Sequence, residues 1–310
     1  MVMLRSIKSE LSVIYVLYCP EFPKPGETVH GSKFQKGFGG KGANQCVMAS
    51  MLGAKTAMVG RVGTDQFGTN YLDHFHKYSI NTDHVKVTEQ SNTGIASITV
   101  NDKGQNNIVI VSGANEKLTD EDVEASIHVI STSKVLLTQL ETPPTTALKA
   151  LKLAKRQKVT TVLNPAPARP QLDPDFYKLA DYFCPNETEA ELLINKPIKS
   201  VNDAKAAVPL FLERGCSNVI ITLGALGSVY GSKGTSEVIN VPSCEVTAVD
   251  STGAGDVFIG SFAYYLSCHP HLDLHEMIRR SSKIASISVQ KPGTQTSFPS
   301  KEALSADLFA

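Results

Sequence analysis

Between residues 134 and 223 the chain repeats one unit, a short apolar run followed by a stretch of helical periodicity. The runs are Val135-Leu136-Leu137, Val159-Thr160-Thr161-Val162-Leu163, Tyr182-Phe183-Cys184 and Val219-Ile220-Ile221-Thr222-Leu223. Helices are expected from about Thr145 to Arg156 and from Ala204 to Arg214. A third opens near Thr188, whose spacing to Glu191 fits a capping box. Strands without a polar face must be covered on both sides, so the rhythm implies a parallel sheet between helices. The fold class expected is α/β, a doubly wound and mostly parallel sheet. Ligands of such sheets bind beyond the carboxyl ends of the strands. The residues at those ends are Glu141, Asn164, Asn186, Glu187, Glu189, Gly224 and the segment Asp250 to Asp256.

Two other stretches have a different texture. Residues 92–112 contain β-rich runs around the turn Asn101-Asp102-Lys103-Gly104, a hairpin signature, and residues 11–37 look extended. Together they are expected to form a small discontinuous β lid on a single domain spanning residues 1–310. Thirty basic residues balance thirty acidic ones, so no basic face for nucleic acid is expected. The apolar stretch Leu11 to Pro20 is too short to span a membrane. Six scattered cysteines without a C-x-x-C pair read as buried thiols of a reducing compartment. A cytoplasmic protein is expected, with the nucleus left open.

The segment Asp250-Ser251-Thr252-Gly253-Ala254-Gly255-Asp256 carries the chemistry. It follows the run Cys244 to Val249 and opens into the apolar stretch Val257 to Leu266, which reads as strand, glycine turn and buried helix. Helix starts offer unpaired N–H groups to anions, and small residues let a ligand approach the backbone. A carboxylate beside such an anion site suits proton transfer during chemistry on a phosphate. The bland alternative is a glycine turn followed by a capping Asp.

At these residues the chain resembles the PfkB carbohydrate kinase family, from about Pro25 to Pro299. The matching pieces are Gly39-Gly40-Lys41-Gly42-Ala43-Asn44-Gln45, Gln139-Leu140-Glu141, Asn164-Pro165-Ala166-Pro167-Ala168, Pro185-Asn186-Glu187-Thr188-Glu189, Thr222-Leu223-Gly224 and the Gly253 to Asp256 turn. Within the family the match is to the branch that phosphorylates D-ribose at its 5-hydroxyl. The resemblance implies Asp256 as the base and the amides of Gly253, Ala254 and Gly255 as an anion hole. It implies Gly40, Lys41, Asn44 and Glu141 as sugar ligands. Thr222, Leu223, Gly224, Ala225, Leu226 and Gly227 would cradle ATP, with Ser282 beside the adenine. Asn186 and Glu189 would hold the magnesium and phosphate shell through water, although Asn186 can also simply cap a helix. A potassium ion is implied at Asp250, Thr252, Ser288, Lys291, Gly293 and Ser297. A homodimer through the lid is implied as well, for which exposed strand edges give a physical reason.

The match fails at one place. The family's first strand ends Gly-Ser-x-x-x-Asp, where this chain has Arg5-Ser6-Ile7-Lys8-Ser9-Glu10. Alternatively the segment Val13 to Cys19 takes the strand's place and supplies no acid. Another PfkB sugar or nucleoside kinase, or a weakened binding relative, therefore stays open. His74, His76, His269, His271 and His275 read as surface or loop histidines and not as a metal site.

Overall fold

The computed structural model describes residues 3–7, as backbone, and residues 11–310. Its strands are β1 Met3–Ile7, β2 Ser12–Cys19, β3 Lys33–Gly39, β4 Lys55–Gly63, β5 Asn81–Thr88, β6 Gly94–Asn101, β7 Asn106–Val111, β8 Val135–Thr138, β9 Thr160–Leu163, β10 Tyr182–Phe183, β11 Asn218–Thr222, β12 Ser228–Ser232 and β13 Ile239–Val241. Its helices are α1 Lys41–Met51, α2 Gln66–Lys77, α3 Asp120–Ala125, α4 Ile127–Ser131, α5 Pro144–Arg156, α6 Pro174–Leu179, α7 Glu187–Ile194, α8 Val201–Glu213, α9 Ala254–Cys268 and α10 Leu274–Ser288.

One large sheet runs in the order β13-β12-β11-β10-β9-β8-β1-β4-β5. Every neighbouring pair from β11 to β5 is parallel, and β12 and β13 add an antiparallel edge. The side-chain alternation of a strand explains why the sheet needs cover on both faces. Along β8, Val135 and Leu137 enter one core while Leu136 enters the other. Along β11, Ile220 enters the first core and Val219 and Ile221 the second. Residues of α1, α2, α9 and α10 build the first core, and residues of α5 to α8 build the second. From β1 the strand order runs outward both ways, to β8 on one side and β4 on the other. That reversal opens a crevice at the carboxyl ends of the strands.

β1 settles one open question. It lies between β4 and β8, and β2 belongs to a separate sheet, so the Val13 to Cys19 segment does not replace the first strand. Glu10 lies outside the described residues. The second sheet, in the order β3-β2-β6-β7, draws its strands from the two stretches expected to form the lid. Its β6–β7 hairpin closes at Asn101, whose Oδ1 accepts from the amides of Lys103 and Gln105. Ile108, Val109, Ile110 and Val111 on β7 are each more than half exposed.

Several local expectations need correction. The run Cys244 to Val249 forms no strand. The sheet ends at β13, and the run's own amide at Val249 bonds to the Val289 carbonyl. The capping box of α7 is Asn186 with Glu189, not Thr188 with Glu191. The two pairs share one spacing, and the extended backbone at Asn186 starts the helix earlier. Likewise α8 starts at Val201, capped by Ser200, ahead of the expected Ala204. All six cysteines are free, but Cys244 is exposed and Cys268 half-buried.

Candidate active site

Helices α9 and α1 approach closely because Gly260 has no side chain. A Cβ there would lie 2.5 Å from the Gln45 carbonyl oxygen on α1. One turn earlier on α9 stands Asp256, so the same approach brings Asn44 and Gln45 against its carboxylate. Asn44 Nδ2 donates to Oδ2 at 2.8 Å, and Gln45 Nε2 donates to Oδ1 at 2.9 Å. Gln45 is itself held, since its Oε1 accepts from Gln139 Nε2 and its Nε2 lies 3.1 Å from Asn164 Oδ1. Asn164 in turn donates to the Cys184 carbonyl at 2.9 Å. Amides from the ends of β8 and β9 thus brace one oxygen of a carboxylate on α9.

Asp256 is only 9% exposed. Burial pushes its carboxyl above the ordinary range, while the Lys41 charge and the two amide donors pull it back. The turn before it requires glycine at 253, where φ is +80° and a Cβ would meet Thr294 Cγ2 at 2.8 Å. At Gly255 a Cβ would meet nothing within 4 Å, so that backbone faces open space. The Ala254 amide donates to the Ser251 carbonyl at 3.1 Å and would have to exchange that bond for an incoming anion.

Two cavities meet at this turn. The smaller, about 170 Å³, is lined by Lys41, Asn164, Asn186, Glu189, Gly253 and Asp256, among others. The larger, about 420 Å³ and mostly apolar, is lined by Gly224, Ala225, Gly227, Val246, Phe258 and Ser282, among others. Thr222 and Gly255 line both. The Cys244 to Val246 part of the loop after β13 walls the larger cavity, which accounts for exposed apolar side chains there. Leu223 is buried in the second core and Leu226 is exposed, and neither lines the cavity.

Gly40, with φ +99°, caps α1 and turns the chain so that the Lys41 amide donates to Glu141 Oε2 at 2.7 Å. Asn186 and Glu189 bond reciprocally, Asn186 N to Glu189 Oε2 at 2.9 Å and Glu189 N to Asn186 Oδ1 at 2.7 Å. Burial raises the Glu189 carboxyl, the Asn186 amide and Lys41 lower it, and the nearby Asp256 charge raises it again. Asp250 ties two segments together, accepting from Thr252 N at 2.9 Å and Gly293 N at 2.8 Å. Burial pushes its carboxyl up, but those donors and the Thr252 hydroxyl outweigh it and hold it low. Ser297 and Ser288 donate through their hydroxyls to the Thr294 and Ala285 carbonyls, and the Lys291 amide bonds to the Ser288 carbonyl.

Gln45 is a site residue that the motif Gly39 to Gln45 does not by itself single out. The available signal was its adjacency to Asn44 on one helix. His74 is neither at the surface nor in a loop: it is half-buried on α2 with its ring stacked on Phe38. Among the described residues, no three His, Cys, Asp or Glu side chains cluster as a metal site. Nor is any helix there long and apolar enough to cross a membrane.

The sequence profile of the pfkB family carbohydrate kinases matches residues 9–301. Mouse ribokinase is 50% identical over 93% of this chain and 89% of its own length. A deoxyribokinase of Salmonella typhimurium is 36% identical over 93% of this chain and 92% of its own. Among solved structures, Arabidopsis thaliana ribokinase complexed with ribose and ATP superposes with a TM-score of 0.89 at 27% identity. The match covers 98% of this chain and 97% of that one.

Proposed function

Because the chain belongs to the pfkB family of carbohydrate kinases, we propose that it transfers the γ-phosphoryl group of ATP to O5 of D-ribose. The observation that carries the reading is Asp256, a buried carboxylate of raised proton affinity at the mouth of α9. It lines the smaller cavity where that cavity meets the larger one. Asp256 accepts the proton of the 5-hydroxyl as that oxygen bonds to the γ-phosphorus, and the bond to the β–γ bridging oxygen breaks, releasing ADP. The reaction mainly demands positioning and charge stabilisation. The amides of Gly253, Ala254 and Gly255 offer that stabilisation to the migrating phosphoryl. Gly40, Lys41, Asn44 and Glu141 hold the sugar, and the cavity beside Gly224, Ala225, Gly227 and Ser282 takes the nucleotide.

Glu189 and Asn186 suit magnesium, which keeps several waters when few carboxylates bind it, and their mutual hydrogen bonds favour contact through water. Magnesium held there would neutralise charge on the β- and γ-phosphates. The oxygens that the segments 250–252 and 288–297 contain include the side chains of Asp250, Thr252 and Ser297 and the backbone carbonyls of Ser288, Lys291 and Gly293. Such a set suits potassium, which would add positive potential to the anion hole. The exposed apolar run of β7 supports a homodimer through the lid. A cytoplasmic location accords with this chemistry.

A second reading, preference for deoxyribose, is favoured by the Salmonella typhimurium relative and by the altered Arg5 to Glu10 segment. Values of kcat/KM for ribose, deoxyribose, fructose and adenosine decide between them. A ribose preference above about tenfold is expected, because a site built for a hydroxyl penalises its absence. A smaller ratio overturns the assignment to ribose.

A further inference from the structure

The hydrogen bonds leaving Asp256 have a direction fixed by one fact: an ionised carboxylate only accepts. Asn44 therefore turns Nδ2 toward Asp256 and leaves Oδ1 facing away. That oxygen accepts from Gln295 Nε2 at 2.9 Å. Gln295 must then present Oε1 on its far side, where it lies 2.6 Å from Nε2 of His74 on α2. An acceptor at that distance requires a proton on His74 Nε2, which both the cation and one neutral tautomer supply. Asn44 and Gln295 are buried, at 5% and 6% exposure, so each bond replaces water that is absent.

We infer that Gln295 and His74 are positioning residues for the base, locking the amide of Asn44 so that its donor always faces Asp256. This rests on the reading of Asp256 as base. The lock matters most after the proton has moved. A protonated Asp256 would be stabilised if Asn44 flipped its oxygen inward, trapping the spent base. Gln295 donating to Oδ1 opposes that flip, since the flip would leave a buried donor facing a donor. His74 fixes Gln295 in the same sense. Its ring stacks on Phe38 of the lid strand β3, with centroids 4.1 Å apart, and meets Tyr78 edge-on. The neighbouring Tyr71 hydroxyl donates to the Gly39 carbonyl at the end of β3, so the chain ends against that strand.

The charged groups near Asp256 are Lys41 on α1 and Glu189 on α7, and Lys77 is the charge acting on His74. None of the substitutions below alters them. The test compares His74→Phe, which can keep the stack but not the donor, with Gln295→Leu, the double variant, His74→Gln and Asp256→Asn. His74→Phe should lower kcat about fivefold, the worth of one hydrogen bond, and Gln295→Leu about tenfold, with KM for ATP unchanged. The double variant should be no slower than Gln295→Leu, because the two residues form one chain. His74→Gln, whose amide nitrogen can occupy the place of Nε2, should recover kcat to within about twofold. The acid limb of the kcat profile should move to higher pH in Gln295→Leu, as the charged form loses support.

Multiplicative losses in the double variant, or unchanged kcat and an unmoved acid limb in both single variants, overturn the inference. If Gln295→Leu does not fold, the contrast between His74→Phe and His74→Gln decides alone. An active Asp256→Asn enzyme would instead overturn the reading of the base itself, so the two failures are distinguishable.

Discussion

At the level of single residues, the site depends on how one carboxylate is kept both buried and reactive. Burial raises the proton affinity of Asp256, and two amides plus Lys41 restrain that rise. Removing one amide with Gln45→Leu should lower kcat about tenfold or more and shift the acid limb of its pH profile upward. Losing a hydrogen bond to the charged form favours the neutral one. Steady-state rates between pH 4 and 8 check both effects, and an unmoved limb would separate Gln45 from the base. Asp256 was legible in the sequence because a carboxylate after a glycine turn at a helix start is unusual. The partnership with Gln45 was not legible, because it joins residues 211 positions apart. The Asn186 and Glu189 pair shows a different limit. Its spacing is shared by Thr188 and Glu191, and only the backbone at Asn186 chooses between them.

Among the elements, the contact between α1 and α9 does most to assemble the site. Gly260→Ala would place a methyl group 2.5 Å from a backbone oxygen, and backbone cannot rotate away as a side chain can. Overpacking of this kind costs about 1–3 kcal/mol. The melting temperature should fall by about 1.5–5 °C for a chain of this size. kcat should fall with it as Asn44 and Gln45 shift, and calorimetry with a parallel assay checks both. On α10, Glu276 bonds Arg279 and Arg280, and Arg280 also donates to the Leu308 and Ala310 carbonyls. Those arginines pull the Glu276 carboxyl down to about 2. A depressed carboxylate stabilises the fold above its unfolded value, near 4.5, and loses that contribution as pH falls toward 2. Glu276→Gln should therefore lower the melting temperature at pH 7, with the gap closing as pH drops below 4.5. A gap independent of pH would refute the ionic role. Helix and strand spans were readable from periodicity, and their ends were less so. The run Cys244 to Val249 reads as a strand by composition, yet its Cys244, Val246 and Ala248 line a cavity wall.

Over the whole molecule, the mostly parallel sheet follows from apolar runs with no polar face, which is why its architecture was legible early. Which strand begins it was less plain, because β1 departs from the family's motif while β2 is more apolar. The lid's exposed strand β7 belongs to this scale too. Light scattering should find a dimer, and Val109→Asp should yield a monomer, since a charge at an apolar contact loses water without gaining a partner. A monomeric parent chain would contradict the lid interface. The central claim remains that a carboxylate on α9 takes the sugar's proton while the turn before it holds the phosphate. The most direct test measures ribose phosphorylation by Asp256→Asn at saturating ATP and magnesium, with ATP affinity measured alongside. A rate lower by about 10²–10⁴-fold with unchanged ATP binding is predicted. A rate within threefold of the parent enzyme would contradict it.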